Sequence, residues 1–403
     1  MAIGAMETAS KGIDFLCAIA GPQPDLERAR RLLRGSLDFS ALLDFASEHY
    51  LGPQLLAAMS ELDWQGVPAE SKAKLEEFRR RHVLRTLHLT EELCRIAALF
   101  SSRGIIFAAF KGAALAVDLY GDPARRVYSD IDIIVPTGQV PAAETALESL
   151  GYHNDQGDRA FRRMFCAYQG QYSFVHADRG AAVDLHWVFT AAALPFPLQV
   201  DELWSGLRPV TVGTCAVPTF SDPDVALLLA GHGTKEGWRS LGWICDFATF
   251  VHERPALNWP SLHQRACQQG SGDAVLLAFA LSNMLLGVAI PAGLADKLAR
   301  NKRVARLAAL IIDRLRGSSS KRGRSHLMDL ALCDRLWDRI KAAARLLLTP
   351  TPGDYQALPL PQASWPLYYA LRPLRLVARG LASLRGDRQP MIGQELGAVD
   401  RRT

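Results

Sequence analysis

The chain has 403 residues, 49% of them hydrophobic and 22% charged, with 46 lysines and arginines against 41 aspartates and glutamates. That composition argues against a disordered chain, and the length suffices for two or three domains with sizeable cores. A formal net charge of +5 permits a phosphate-bearing partner but gives no sign of a dedicated nucleic-acid binder, so no stable nucleic-acid binding is expected.

Seven cysteines, at 17, 94, 166, 215, 245, 267 and 333, lie far apart with no C-x-x-C pair. Neither a disulfide framework nor a zinc pattern is expected, and a reducing cytoplasm is the expected location. The first residues include Glu7 and Lys11 and lack a sustained apolar run before a cleavage site, so they do not read as a signal peptide. The most hydrophobic run, 274–290, contains Ser282, Asn283 and Gly287 and falls short of the roughly 20 residues of a span. It reads as a buried helix, and no transmembrane segment is expected.

Residues 1–103 read as an N-terminal helical region. Asp38 and Ser40 are candidate caps for a helix carrying Leu42, Leu43, Phe45 and Ala46, with Pro53 breaking the pattern afterwards. A long pattern after Pro68 places Leu75, Phe78, Leu87, Leu93, Ile96 and Phe100 near helical spacing and stops at Gly104. Its run 79–82, RRRH, reads as a solvated face in preference to a phosphate-facing patch.

Residues 104–220 change character. Candidate strands are 105–110, 131–135, 172–176, 182–187 and 210–217, with a helix at 140–150 ending at Gly151. Strands mixed with helices, without regular βαβ alternation, predict an α+β fold with a small mixed sheet. Within this region Asp130 and Asp132 lead an apolar strand and project from one face. Two close carboxylates at the mouth of such a strand need a cation, and a divalent metal is the usual solution. Upstream, Lys111 and Gly112 stand between an apolar strand and a helical stretch, where a glycine permits close backbone approach and a helix N-terminus favours anions.

Residues 221–348 read as helices again, with Asp222-Pro223-Asp224 as a helix start. His232, Lys235 and Arg239 share a face if the helix continues through them, forming a cationic stripe with Asp246 to orient it. The competing reading is a helix pair with core tryptophans and solvated charges. Residues 316–325 read as a flexible basic loop. The final stretch, 349–403, begins with five prolines in 349–366, read as an extended linker. A basic amphipathic helix follows at 365–381, read as packing on the body rather than lying on a membrane, and the last twenty residues read as disordered.

The order strand, Lys111-Gly112, helix, Tyr120, Arg126, then Ser129-Asp130-Ile131-Asp132-Ile133, resembles the uncharacterised bacterial nucleotidyltransferase family of the DNA polymerase beta-like superfamily. The stretches 183–187, 232–246 and LYYALRPLRLVARG near the end are similar to it as well. The resemblance implies a polymerase beta-like nucleotidyltransferase core at 104–220, flanked by helical regions. It implies Asp130, Asp132 and Asp184 as catalytic and metal-holding carboxylates, with Mg²⁺ or Mn²⁺ as cofactor. Lys111, Gly112, Arg126 and Ser129 are the implied nucleotide ligands, joined by His232 and Lys235. For Lys111 and Arg126 the bland alternative is surface charges, the arginine paired to Asp122 or Asp130. Ser129 touches a phosphate or merely starts the strand, and His186 is either a partner of the site or a core-edge histidine. The implied reaction moves an NMP from an NTP, ATP among the candidate donors, to a hydroxyl of an unidentified small molecule, glycan or protein. Natural-product and polysaccharide biosynthesis are the implied settings. The rivals are a protein-modifying, antitoxin-like enzyme and a non-catalytic scaffold.

Overall fold

A computed structural model describes residues 2–35, 37–154, 156–190, 195–317 and 333–384. Five strands form one sheet: β1 (Ala108–Ala109), β2 (Ile131–Ile134), β3 (His153–Asn154), β4 (Gln171–His176) and β5 (Ala181–His186). Their order is β1-β2-β5-β4-β3, with β2 and β5 parallel and the other pairs antiparallel. β6 (Arg208–Val212) and β7 (Cys215–Thr219) make a separate antiparallel ribbon. The fold is α+β with a small mixed sheet between helical regions, as its sequence predicts.

The sheet is amphipathic because its strands alternate. Ile131, Ile133, Val183 and Leu185 are buried against Leu89, Leu93, Ile96 and Phe100 of the long helix Ala69–Ser102. Burial of each such side chain is worth about 1.5–3 kcal/mol, and it fixes the register that sends the intervening residues to the opposite face. A second core joins the N-terminal helices to the helices that follow β7. Phe15, Leu42 and Leu55 pack in one cluster with Val225, Phe247, Phe279 and Ile311.

Several elements depart from expectation. The strand read at 105–110 is reduced to β1, with Phe107 and Phe110 buried on either side of it. The strand read at 210–217 is a hairpin, because Gly213, with φ of 60°, turns the chain between β6 and β7. Pro53 does not break a helix: it sits in the first turn of the helix Gly52–Glu61, where a missing N–H costs nothing. Asp38 caps the helix Phe39–Glu48, accepting from the Ala41 amide. The proline-rich stretch is not simply extended. Thr351 and Asp354 form a capping box on the helix Pro352–Ala357, and Arg372 of the helix Tyr368–Leu384 donates to Asp354 Oδ2 at 2.7 Å, tying that helix back.

Cys94 on the long helix and Cys215 in β7 are joined as a disulfide, although their spacing predicted no framework; spacing is silent on a single pair 121 residues apart. The expected flexible loop is largely, and the expected disordered tail almost entirely, outside the described residues. Among the described residues no helix is long and apolar enough to cross a membrane.

Candidate functional site

β2 and β5 run parallel with Asp132 opposite Asp184 and Ile134 opposite His186, so Asp132, Asp184 and His186 share the face turned away from the long helix. Each offers a ligand atom within 4.8 Å of the others. Asp132 is buried, and its Oδ1 accepts from Lys111 Nζ at 2.7 Å and from His186 Nε2 at 3.2 Å. A carboxylate only accepts, so His186 carries its proton on Nε2 here. Burial alone would raise Asp132, but Lys111 and His186 hold it well below the usual carboxylate range. Burial likewise lowers His186 and keeps it neutral.

Asp130, one strand repeat earlier, is half-buried and has no hydrogen-bond or ion-pair partner among the described residues. Burial and the charges of Asp132 and Asp184 push its carboxyl up to about 7. A lone acid beside a second carboxylate, with a third across the strand, is a donor set short of positive charge. That chemistry fits a hard divalent cation.

Lys111 ends the β1 segment in extended geometry, and the helix Gly112–Tyr120 starts beside it with no side-chain cap. Gly112 has φ of 55°, and a Cβ there would lie 3.2 Å from the Asp130 carbonyl oxygen. Only glycine brings Lys111 and Asp130 together in this way. Lys111 is therefore not a free surface lysine; burial opposes its charge, and Asp132 and Asp130 outweigh burial and raise its pKa.

Arg126 points inward and Arg125 outward: the Arg126 side chain is 11% exposed, and its Nε donates to Asp246 Oδ2 at 2.9 Å. Its partner is neither Asp122 nor Asp130. Tyr120 donates to the other oxygen of Asp246 at 2.8 Å, so this one buried acid holds both residues from the helix Leu241–Glu253. Ser129 is exposed, precedes β2, and offers its carbonyl to Arg85 Nη2 at 2.8 Å.

The stripe of His232, Lys235 and Arg239 does not form. The helix Asp222–Lys235 ends at Lys235, because Trp238 folds back with φ of 49° onto Gly233 and donates to Thr234 Oγ1. His232 stacks edge-on against Trp243 and feels the charges of Lys111 and Asp132; burial and Lys111 push it down to about 3, so it is neutral. Lys235 lines a separate pocket with Phe196, Thr190 and Ser271. Arg239 is exposed and pairs with Glu236.

Other residues of the site escaped the sequence reading. Ser173 Oγ donates to Asp184 Oδ1 at 2.6 Å, and Gln171 Nε2 donates to Oδ2 at 3.1 Å. Their alternation on β4 puts them on one face, but only the ladder register, in which Ser173 pairs directly with Asp184, links them to the carboxylate. Arg85 also reaches the Gly180 carbonyl at 3.2 Å, so one guanidinium grips the entries to both carboxylate strands. Within the RRRH run, Arg80 and Arg81 pair with Glu77 in solvent, whereas His82 is buried and bonded to the Ala124 carbonyl.

Residues 35–287 match the model of a family described as an uncharacterised nucleotidyltransferase. No curated protein matches the chain. Among solved structures, the solution structure of the antibiotic-resistance factor ANT(2'')-Ia is similar at 15% identity over 48% of this chain and 90% of that one, with a TM-score of 0.26. A likeness of that size supports no statement about this chain.

Proposed function

Because the chain belongs to the uncharacterised nucleotidyltransferase family, we propose that it moves an NMP from an NTP to an acceptor hydroxyl, releasing pyrophosphate, with Mg²⁺ or Mn²⁺ as cofactor. The observation that carries this reading is the register of β2 against β5, which sets Asp132 beside Asp184 and leaves Asp130 unpaired at the same mouth. Residues 104–220 are taken as the catalytic core.

Asp132 and Asp184 would hold the cation with His186 beside them, and Asp130, which is not part of that 4.8 Å group, is proposed to complete the set when the ion binds. A bound divalent ion supplies charge neutralisation at the triphosphate and lowers the pKa of the attacking hydroxyl. Lys111 and the uncapped amides that begin the helix Gly112–Tyr120 face the place where phosphate oxygens would lie. Arg126, fixed by Asp246, adds a second cationic phosphate ligand, a guanidinium that needs no reorganisation at the moment of reaction. Ser173 and Gln171 orient Asp184 so that one of its oxygens can take the acceptor proton. In-line attack on the α-phosphorus forms the new oxygen–phosphorus bond and expels pyrophosphate. Most of the rate comes from positioning and from charges already in place.

His232, packed edge-on against Trp243 and held neutral by burial and the Lys111 charge, is taken as a packing neighbour of the phosphate region rather than as a charge. Lys235 faces a neighbouring pocket, which is the proposed place for part of the donor or the acceptor. The acceptor is a small molecule, a glycan or a protein; the expected cytoplasmic location rests on unpaired cysteines, and the Cys94–Cys215 disulfide stands against that ground. Pyrophosphate release from each NTP, with a panel of hydroxyl acceptors and with Asp184→Asn as control, tests the reading. Release that depends on acceptor, metal and Asp184 supports it; release unchanged in Asp184→Asn would count against it.

A further inference from the structure

The stretch 336–377 carries ten of the seventeen large hydrophobic side chains that are exposed among the described residues. The helix Leu336–Leu348 within it is turned inside out. Ala342 is its buried residue, while Leu336 is 71% exposed, Trp337 63%, and Ile340, Leu347 and Leu348 about half. At 100° per residue these five fall within an arc of about 120°. The inner side of the helix is anchored by polar contacts. Arg335 Nη2 donates to the carbonyls of Cys267 and Gln268 at 3.1 and 3.0 Å, and Arg339 Nε donates to that of Cys333 at 3.0 Å. From the neighbouring helix Tyr368–Leu384, Arg372 Nε donates to the Leu346 carbonyl at 3.0 Å. The apolar face is therefore held outward by its own fold.

The charges beside that face select the occupant. Lys341 and Arg345 follow one edge of the apolar arc on its solvent side; Lys341 lies over the Trp337 ring at 5.7 Å and pairs with Asp338 at 3.9 Å, while Arg345 is exposed. Asp338, the helix's one acid, is 19% exposed and faces Gly270. An apolar stripe edged by lysine and arginine, with a tryptophan at its margin, matches the interface of an anionic bilayer. Thirteen residues make a helix of about 20 Å, which lies on a membrane and does not cross it. A second copy docking the same face would bring the cations of the two copies together. We infer that the helix Leu336–Leu348 is a peripheral membrane-binding element that lays this face on an anionic phospholipid surface.

Flotation of the full chain with vesicles tests it. The chain is expected to float with phosphatidylglycerol-containing vesicles, to bind pure phosphatidylcholine much less, and to be released by salt. Ile340→Glu, at an exposed position, should lose about tenfold or more in vesicle affinity with an unchanged melting temperature. If that variant melts lower, the pair Lys341→Glu and Arg345→Glu carries the same expectation. No flotation, or equal binding to both vesicle types, overturns the proposal. Self-association in sedimentation that Ile340→Glu disperses, without flotation, overturns it in favour of a second copy.

Discussion

Lys111 Nζ lies 2.7 Å from Asp132 Oδ1, the one lysine or arginine ion pair made by any of the three site carboxylates among the described residues. The lysine thus neutralises one acid while standing beside an uncapped helix start, where phosphate would draw it. Lys111→Met should weaken Mg²⁺-NTP binding about tenfold or more, the worth of a charge-assisted hydrogen bond. The same variant should bind Mn²⁺ alone more tightly than wild type, since a competing cation is gone. Calorimetric titration of each ligand checks both signs; a variant weaker for both would show that the lysine simply supports the fold.

Asp246 is predicted to be a structural requirement of the site. It is buried and satisfies both Arg126 and Tyr120. Asp246→Ala strands a buried guanidinium and should cost about 3–5 kcal/mol in urea unfolding. Asp246→Asn should cost less but still weaken NTP binding, because Arg126 loses its charged anchor.

Gly112→Ala puts a side chain at a left-handed position, costing about 1–2 kcal/mol, with a Cβ pressing the Asp130 carbonyl. Stability should fall by roughly that amount, and nucleotide binding should fall with it. A fully stable Gly112→Ala with normal binding would remove the argument that this glycine sets the Lys111–Asp130 approach.

His49 gives the protein a built-in acid sensitivity. It is buried, its backbone carbonyl accepts from Ser240 Oγ and its Nδ1 accepts from the Leu241 amide at 3.4 Å. Burial lowers its pKa from 6.5 to about 4. The unfolded chain therefore takes the proton first, so the contribution is complete above pH 6.5 and is lost as pH falls toward 4. Between pH 7 and pH 5 the loss is about 2 kcal/mol. Urea midpoints at the two pH values should show a smaller difference in His49→Gln than in wild type.

Asp130 and Asp132 were legible because alternation on a strand is a local rule and they had to share a face. Asp184 was singled out by the family resemblance, and the parallel pairing of β2 with β5 brings it beside Asp132. What the sequence left open depended on contacts far along the chain. Arg125 and Arg126 are neighbours with the same chemistry, and only Asp246, 120 residues away, decides which turns inward. The cationic stripe failed for a tertiary reason, since helical spacing from His232 to Arg239 holds only if the helix continues, and Trp238 packing onto Gly233 ends it. Ser173 and Gln171 became visible only with the β4–β5 register. The outward apolar face of Leu336–Leu348 shows the same limit: the pattern marks an amphipathic helix, and the polar anchors at Arg335 and Arg339 decide which side meets solvent.

The central claim is that Asp130, Asp132 and Asp184 form a metal-dependent nucleotide site. Calorimetric titration of the four NTPs, with and without Mg²⁺, into wild type and Asp132→Asn tests it without knowledge of the acceptor. Metal-dependent binding of an NTP to wild type, with the metal dependence lost in Asp132→Asn, is the predicted result. Absence of binding by any NTP at millimolar concentration with Mg²⁺ or Mn²⁺, or binding that ignores both the metal and the substitution, would contradict it.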